Sequence, residues 1–203
     1  MSKVKVCGVR DLNILPVLNK LTPDYVGFIL SGGFKRSIDI PLATKIRAGL
    51  NSEIKTVGVF VNEPVENVVS FLECGIIDIV QLHGDESENY ISRLKSAYPV
   101  TVIKSVGVEN GKVLPYPDNC DYLLLDAYDK VNRGGTGKRV EWRAYPEIEK
   151  PFFLAGGLTA ENVHKAIEIV KPYAVDCSGG VETDGVKDAE KVERYIKNAR
   201  DAG

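Results

Sequence analysis

Short apolar runs alternate with longer amphipathic ones from one end of the chain to the other. Lys3–Cys7, Asp24–Leu30, Lys55–Phe60, Asp78–Leu82, Val100–Lys104, Tyr122–Asp126, Phe152–Leu154 and Tyr173–Asp176 are rich in Val, Ile, Leu and aromatic residues and read as buried parallel strands. Between them, apolar positions recur at helical spacing over Asp11–Lys20, Pro41–Leu50, Pro64–Cys74, the stretch from the HGDE turn at His83–Glu86 to Ala97, Thr159–Val170 and Lys187–Asn198. Asp11 and Thr159 suit N-caps, Pro41 suits a first turn, and Gly75 suits a helix stop. Two more helices are expected, one in the Gly- and Pro-rich stretch Gly107–Asn119 and one near Trp142–Ile148. Eight βα units of roughly 25 residues each are short but sufficient for a closed barrel, and right-handed crossovers close such a sheet. A doubly wound open sheet is the competing architecture, usually with fewer strands and one switch point. No linker or low-complexity tract interrupts the pattern. The expected fold is therefore α/β, a single (β/α)8 TIM barrel over residues 1–203.

A barrel of this kind builds its site from the C-terminal strand ends and the loops beyond them. Those ends carry Cys7, the Gly32–Arg36 loop, Phe60, Gln81–His83, Lys104, Asp126, Ala155–Gly157 and Asp176–Gly180. The set holds a thiol, two acids, two cations and two Gly-rich loops, which is polar company for apolar strands. Asp126 hands its carboxylate to a loop containing Gly134, Gly135, Gly137 and Lys138, before the chain resumes at Val140 and Trp142. That GGTGK is not a P-loop, because position 132 is Asn and Arg139 follows the lysine. The loops after the seventh and eighth strands, AGGL (Ala155–Leu158) and DCSGGVE (Asp176–Glu182), let backbone N–H groups approach an anion, and many barrels hold phosphate there. The bland alternative is that these glycines only serve tight turns. Alternation along the first strand adds a constraint: if Cys7 faces the mouth, Lys5 lies inside the barrel and needs a partner. Asp176 on the neighbouring eighth strand is the candidate. His83 fits a ligand contact and a helix cap equally well. Cys74 and Cys120 read as packing residues.

Composition changes the picture little. Hydrophobic content of 44% and charged content of 27% over 203 residues are those of a globular protein. A net charge of −2 gives no reason to expect nucleic acid or an anionic membrane, so an anionic ligand must be held by local groups. No run approaches a membrane span, and the N-terminus MSKVKVCGVR lacks the features of a signal peptide. Cys7, Cys74, Cys120 and Cys177 form no CxxC pair, and with only His83 and His164 no zinc spacing appears. No metal is expected, and reduced thiols in the cytoplasm are.

KVCGVR at the start, VGVFVNEP at 57–64, VQLHGDE at 80–86, LLLDA with GGTGKRVEW, AGGLTAENV at 155–163, and VDCSGGVE with GVKD occur together and in this order. In these motifs, and along nearly its whole length, the chain resembles the phosphoribosylanthranilate isomerases of tryptophan biosynthesis. The resemblance implies a cofactor-free Amadori rearrangement of N-(5-phosphoribosyl)anthranilate to 1-(2-carboxyphenylamino)-1-deoxyribulose 5-phosphate, the third step of tryptophan synthesis from chorismate. It also implies a general base at Cys7 and a general acid at Asp126. Arg36 matches an arginine near the anthranilate carboxylate, and Gly156, Gly157, Ser178, Gly179 and Gly180 match phosphate-binding backbone. Gln81, His83 and Asp176 complete the expected substrate-binding set. The expected partner is a small phosphorylated substrate, with a monomer favoured over a homodimer. Two departures stand out. Leu30–Arg36 reads LSGGFKR where the family usually has an aromatic residue and Ala-Pro-x-Ser, and Gly179 replaces a common Ser.

Two rivals remain at this point. A related phosphate-binding barrel, an indole-glycerol-phosphate synthase or a histidine-pathway isomerase, would need a catalytic lysine or two aspartates on strands one and five; only Lys104 speaks for the synthase. A catalytically silent binding barrel would need neither Cys7 nor Asp126.

Overall fold

The computed structural model describes residues 1–109, 111–126 and 148–202. The expected helix near Trp142–Ile148, apart from Ile148 itself, lies outside the described residues, as do Gly134, Gly135, Gly137, Lys138, Val140 and Trp142.

Eight parallel strands close into a barrel: β1 (Lys3–Cys7), β2 (Tyr25–Ile29), β3 (Lys55–Phe60), β4 (Ile79–Leu82), β5 (Thr101–Glu109), β7 (Tyr122–Asp126), β8 (Phe152–Ala155) and β9 (Ala174–Cys177). Closure runs through the β1–β9 and β4–β5 pairings. Helices α1 (Leu15–Leu21), α2 (Ile40–Gly49), α3 (Val65–Glu73), α4 (Glu88–Ala97), α5 (Val163–Val170) and α6 (Ala189–Arg200) lie outside. Asp39, Ser87 and Asp188 cap α2, α4 and α6 by accepting backbone N–H bonds. The barrel expected from the alternating pattern is the fold observed.

Strand alternation splits the apolar residues into two cores. Val4, Val6, Val26, Phe28, Val80, Leu82, Val102, Leu123 and Leu125 pack outward under the helices. Tyr25, Val57, Ile103, Leu124, Phe153 and Ala174 fill the barrel itself. The N-terminal end is sealed by a recurring device. Asp24, Asp78 and Asp121, each just before a strand, accept the N–H of Val4, Thr56 and Val102 on the strand before. Each is also paired with a cation, Lys3, Arg47 or Lys95.

Three expectations need correction. Gly107–Asn119 is not a helix among its described residues: β5 continues to Glu109 and folds back as β6 (Lys112–Val113), with Gly111 at φ 70°. Pro115 and Pro117 deny that stretch helical N–H donors, and Gly107 and Gly111 lower its helical propensity. Helix α5 begins at Val163, not Thr159, because Asn162 Oδ1 takes the Thr159 N–H at 2.8 Å and closes a separate turn first. Cys74, expected to pack, is exposed at the end of α3, whereas Cys120 is buried and donates to the Pro117 carbonyl.

Candidate active site

The register of β1 organises the mouth of the barrel. Lys5 stands opposite Asp176 and Cys7 opposite Gly27. Lys5 is fully buried, and its Nζ donates to Asp176 Oδ2 at 2.8 Å, the pairing that alternation along the first strand requires. A charge inside a barrel is tolerated only with such a partner. A Cβ at Gly27 would stand 2.6 Å from the Cys7 sulfur, so the glycine in the middle of β2 is what admits the thiol.

The Cys7 sulfur is buried, and burial pushes its pKa up, while the Lys5 charge beside it pulls the other way without winning. The structure divides that charge between Asp176 and Cys7, and the resting group is a thiol. Burial also works against the Lys5 charge, but Asp176 more than compensates, holding its pKa above the ordinary value.

Asp126 ends β7 with its Oδ1 buried and unbonded among the described residues. Burial, reinforced by the Asp176 charge, raises its pKa to about 6. Asp176 Oδ1 and Gln81 Oε1 are likewise buried without partners among the described residues. Gln81 Nε2 lies 3.2 Å from His83 Nδ1. His83 is open to solvent on one side of the mouth. Desolvation by the mouth around the ring, followed by the Lys5 charge, lowers its pKa, so the ring is neutral at pH 7.

The loops after β8 and β9, the seventh and eighth barrel strands, meet backbone to backbone. A Cβ at Gly180 would collide with the Leu158 carbonyl, and Cys177 Sγ donates to that same oxygen at 3.0 Å. Gly156 and Gly157 adopt φ of 91° and 63°, a region open to glycine. Gly157 and Gly179 face solvent, and Ser178 and Gly180 are half-buried beside them. The two loops thus close on each other through their backbones, and the Gly180 N–H donates to the Cys177 sulfur.

Two strand-end candidates turn away. Phe60 belongs to the outer core. Lys104 shares the parity of Val102 and Val106, which pack outward, and its Nζ bonds Glu86 Oε2 at 3.0 Å and the Gly84 carbonyl at 2.6 Å. Its charge is used to hold the His83–Glu86 turn, which removes the one residue that favoured a lysine-dependent synthase.

A family model described as N-(5'phosphoribosyl)anthranilate (PRA) isomerase matches residues 4–198. The chain belongs to that isomerase family. Among curated relatives, the N-(5'-phosphoribosyl)anthranilate isomerase of Clostridium acetobutylicum is 46% identical, the alignment covering 98% of each chain. That of Endomicrobium trichonymphae is 42% identical over 98% of this chain and 99% of its own. The crystal structure of phosphoribosyl anthranilate isomerase from Thermotoga maritima superposes with a TM-score of 0.84 at 32% identity, covering 99% of this chain and 100% of that one. Another isomerase structure, in complex with reduced 1-(o-carboxyphenylamino)-1-deoxyribulose 5-phosphate, superposes at 0.79 with 31% identity, covering 99% and 100%.

Within the isomerase family framework, the expected residues fall at one end of the barrel. Cys7, Gln81, Asp126 and Asp176 share its inner wall, with His83 on the rim and the two Gly-rich loops beside them. Arg36 differs in its surroundings. Its Nε and Nη2 both donate to Glu182 at 2.7 Å. Sequence reasoning missed Glu182, Lys187 and Gly27. Only Gly27 leaves a local trace, as a glycine inside an apolar strand.

Proposed function

We propose that this chain carries out the isomerase family's rearrangement by general acid–base catalysis, with Asp126 as acid and Cys7 as base. The single observation that carries the reading is the contrast between two buried groups in one mouth. A carboxyl held at about 6 keeps a transferable proton near neutrality, and a buried thiol ends another strand at the same end of the barrel. Asp126 protonates the furanose ring oxygen; the C1–O bond breaks as the aniline nitrogen's lone pair forms the C1=N bond. The iminium that results is cationic beside Cys7, and a positive charge there lets the thiol release its proton to solvent, leaving the thiolate that burial otherwise disfavours. The thiolate takes the C2 proton, and the C2–H electron pair neutralises the nitrogen. The enolamine then gains a proton at C1 and loses the one on its C2 oxygen, giving the ketose.

Neighbouring groups support the flanking roles. Gly156, Gly157, Ser178, Gly179 and Gly180 take the phosphate through backbone N–H groups. Arg36 takes the aryl carboxylate through the edge of its guanidinium that Glu182 does not occupy. Gln81 Oε1 and Asp176 Oδ1 accept from the substrate's hydroxyls, and His83, neutral, contributes a ring nitrogen at the rim. The same reading extends to one domain over residues 1–203, working as a monomer in the cytoplasm. Cys7, Cys74, Cys120 and Cys177 are all free thiols, which suits a reducing compartment. A dimer in solution with both chains contributing to one mouth would overturn the monomer.

The test is turnover of freshly generated phosphoribosylanthranilate, followed by its fluorescence, in Cys7→Ala and Asp126→Asn. Removing a positioned acid or base lowers the rate by about 10²–10⁴-fold. A near-normal rate in either variant removes that residue from its role.

A further inference from the structure

Arg36 sits on the loop that departs from the family pattern, shortly after Gly32 and Gly33, and its guanidinium is held. Glu182 grips it through the Nε–Nη2 edge, with both bonds at 2.7 Å. The arginine lies across two glycines. A Cβ at Gly8 would meet its Cδ at 2.8 Å, and one at Gly179 would meet its Nη2 at 3.3 Å. The guanidinium therefore stands between the residue after Cys7 and the expected phosphate loop.

Glu182 is itself fixed from three sides. Lys187 Nζ bonds its Oε1 at 2.6 Å and also the Ser178 carbonyl at 3.0 Å. The two residues face each other across a small hairpin, β10 (Glu182–Thr183) and β11 (Val186–Lys187). Lys191 Nζ bonds the Glu182 carbonyl at 2.8 Å. Arg10 ties the same hairpin to the Arg36 loop through the carbonyls of Gly185 and Lys35. Burial opposes the Glu182 charge, but the bonds from Arg36 and Lys187 prevail and hold its pKa down to about 2, so it is ionised at any working pH.

We infer that Glu182 is a positioning residue: it presents the free edge of Arg36 to the aryl carboxylate of the substrate and links that subsite, through Lys187, to the Ser178 loop. The inference rests on the proposed role of Arg36. Two cations and one anion leave a single positive charge, which matches one carboxylate. A fork bonded on one edge retains two N–H groups on the other, coplanar and parallel, the geometry a carboxylate takes bidentately. Without Glu182, ordering a long side chain would fall to the substrate and weaken its binding.

The experiment uses two substrates formed in situ from ribose 5-phosphate, one with anthranilate and one with aniline, which lacks the carboxylate, with products followed by chromatography. Glu182→Gln raises KM for the anthranilate substrate about tenfold, the scale of a charge-assisted bond, and leaves kcat within about threefold. The aniline substrate is unaffected. Adding Glu182→Gln to Arg36→Ala raises KM no further. Glu182→Asp, which keeps the charge one methylene short, gives an intermediate KM and serves as the reading if the Gln variant does not fold. Equal losses with both substrates would make Glu182 merely structural, and a lowered KM would make it a competitor for Arg36; either overturns the inference. If Arg36→Ala fails to distinguish the substrates, the role of Arg36 falls first. If Arg36→Ala distinguishes them and the Glu182 variants do not, only the positioning role falls.

Discussion

The two ends of the barrel treat buried polar groups in opposite ways. At the N-terminal end, Tyr25 and Tyr122 hydroxyls lie 3.1 and 3.5 Å from that of Tyr173, and their rings pack around Phe153. Three aspartates there each satisfy a backbone N–H and a cation. At the C-terminal end, Asp126, Asp176 and Gln81 each keep a buried oxygen unbonded among the described residues. A buried acceptor without a partner costs free energy, on the order of 1–3 kcal/mol. One end is built for stability, and the other holds unmet bonding capacity that a substrate can fill. The same strands supply both, because each runs from a saturated floor to an unsaturated mouth.

That contrast makes stability and activity separable by substitution. The largest stability effect is expected at the floor. Phe153→Ala removes a buried ring that three tyrosines pack against and should cost about 3–5 kcal/mol in a denaturant titration. Its kcat per folded molecule should stay near normal; a collapse in kcat would break the division of labour.

Asp126→Asn should act in the reverse sense. Its carboxyl binds a proton more tightly in the folded chain, at about 6, than its ordinary value of 3.8. Below about pH 4 both states are protonated. As pH rises toward 6 the unfolded chain releases the proton first, so the fold loses stability over that window and stays lower above it. The asparagine variant has no proton to lose, and at pH 7 it should exceed the wild type by about 3 kcal/mol while inactive. The same stability difference at pH 3.5 as at pH 7 would show that ionisation is not the cause.

Tyr173→Phe is the mildest change. It deletes the hydroxyl shared by Tyr25 and Tyr122 and should cost about 1 kcal/mol with kinetics unaltered. A kinetic effect from that distance would mean that the floor and the mouth are coupled.

The eight strands, most of the helices, the closure into a barrel and the inward facing of Lys5 beneath Cys7 were legible in the chain, because a period of two or of 3.6 is a local property that a few side chains announce. The Lys5–Asp176 pair was legible too, since an inward lysine demands an acid and the neighbouring strand supplies one. Gly107–Asn119 misled because its place between two strands called for a helix that its own glycines and prolines refuse. Thr159 misled because Asn162 offers a competing turn three residues on.

What the tertiary structure alone decided depends on contacts between residues distant in the chain. The Arg36–Glu182 fork joins residues 146 apart, and nothing local to either names the other. Lys104 stood at an expected strand end, yet the strand runs on to Glu109 and its parity turns the ammonium outward to Glu86. The protonation preferences of Cys7 and Asp126 belong to the closed barrel as well, because desolvation is set by everything packed around a group. The sequence by itself determined the strand order and that Lys5 and Cys7 share one face of the first strand, because both follow from local periodicity. Packing decided which residues of the mouth carry a proton, which carry a spent charge, and which have a bond still to make.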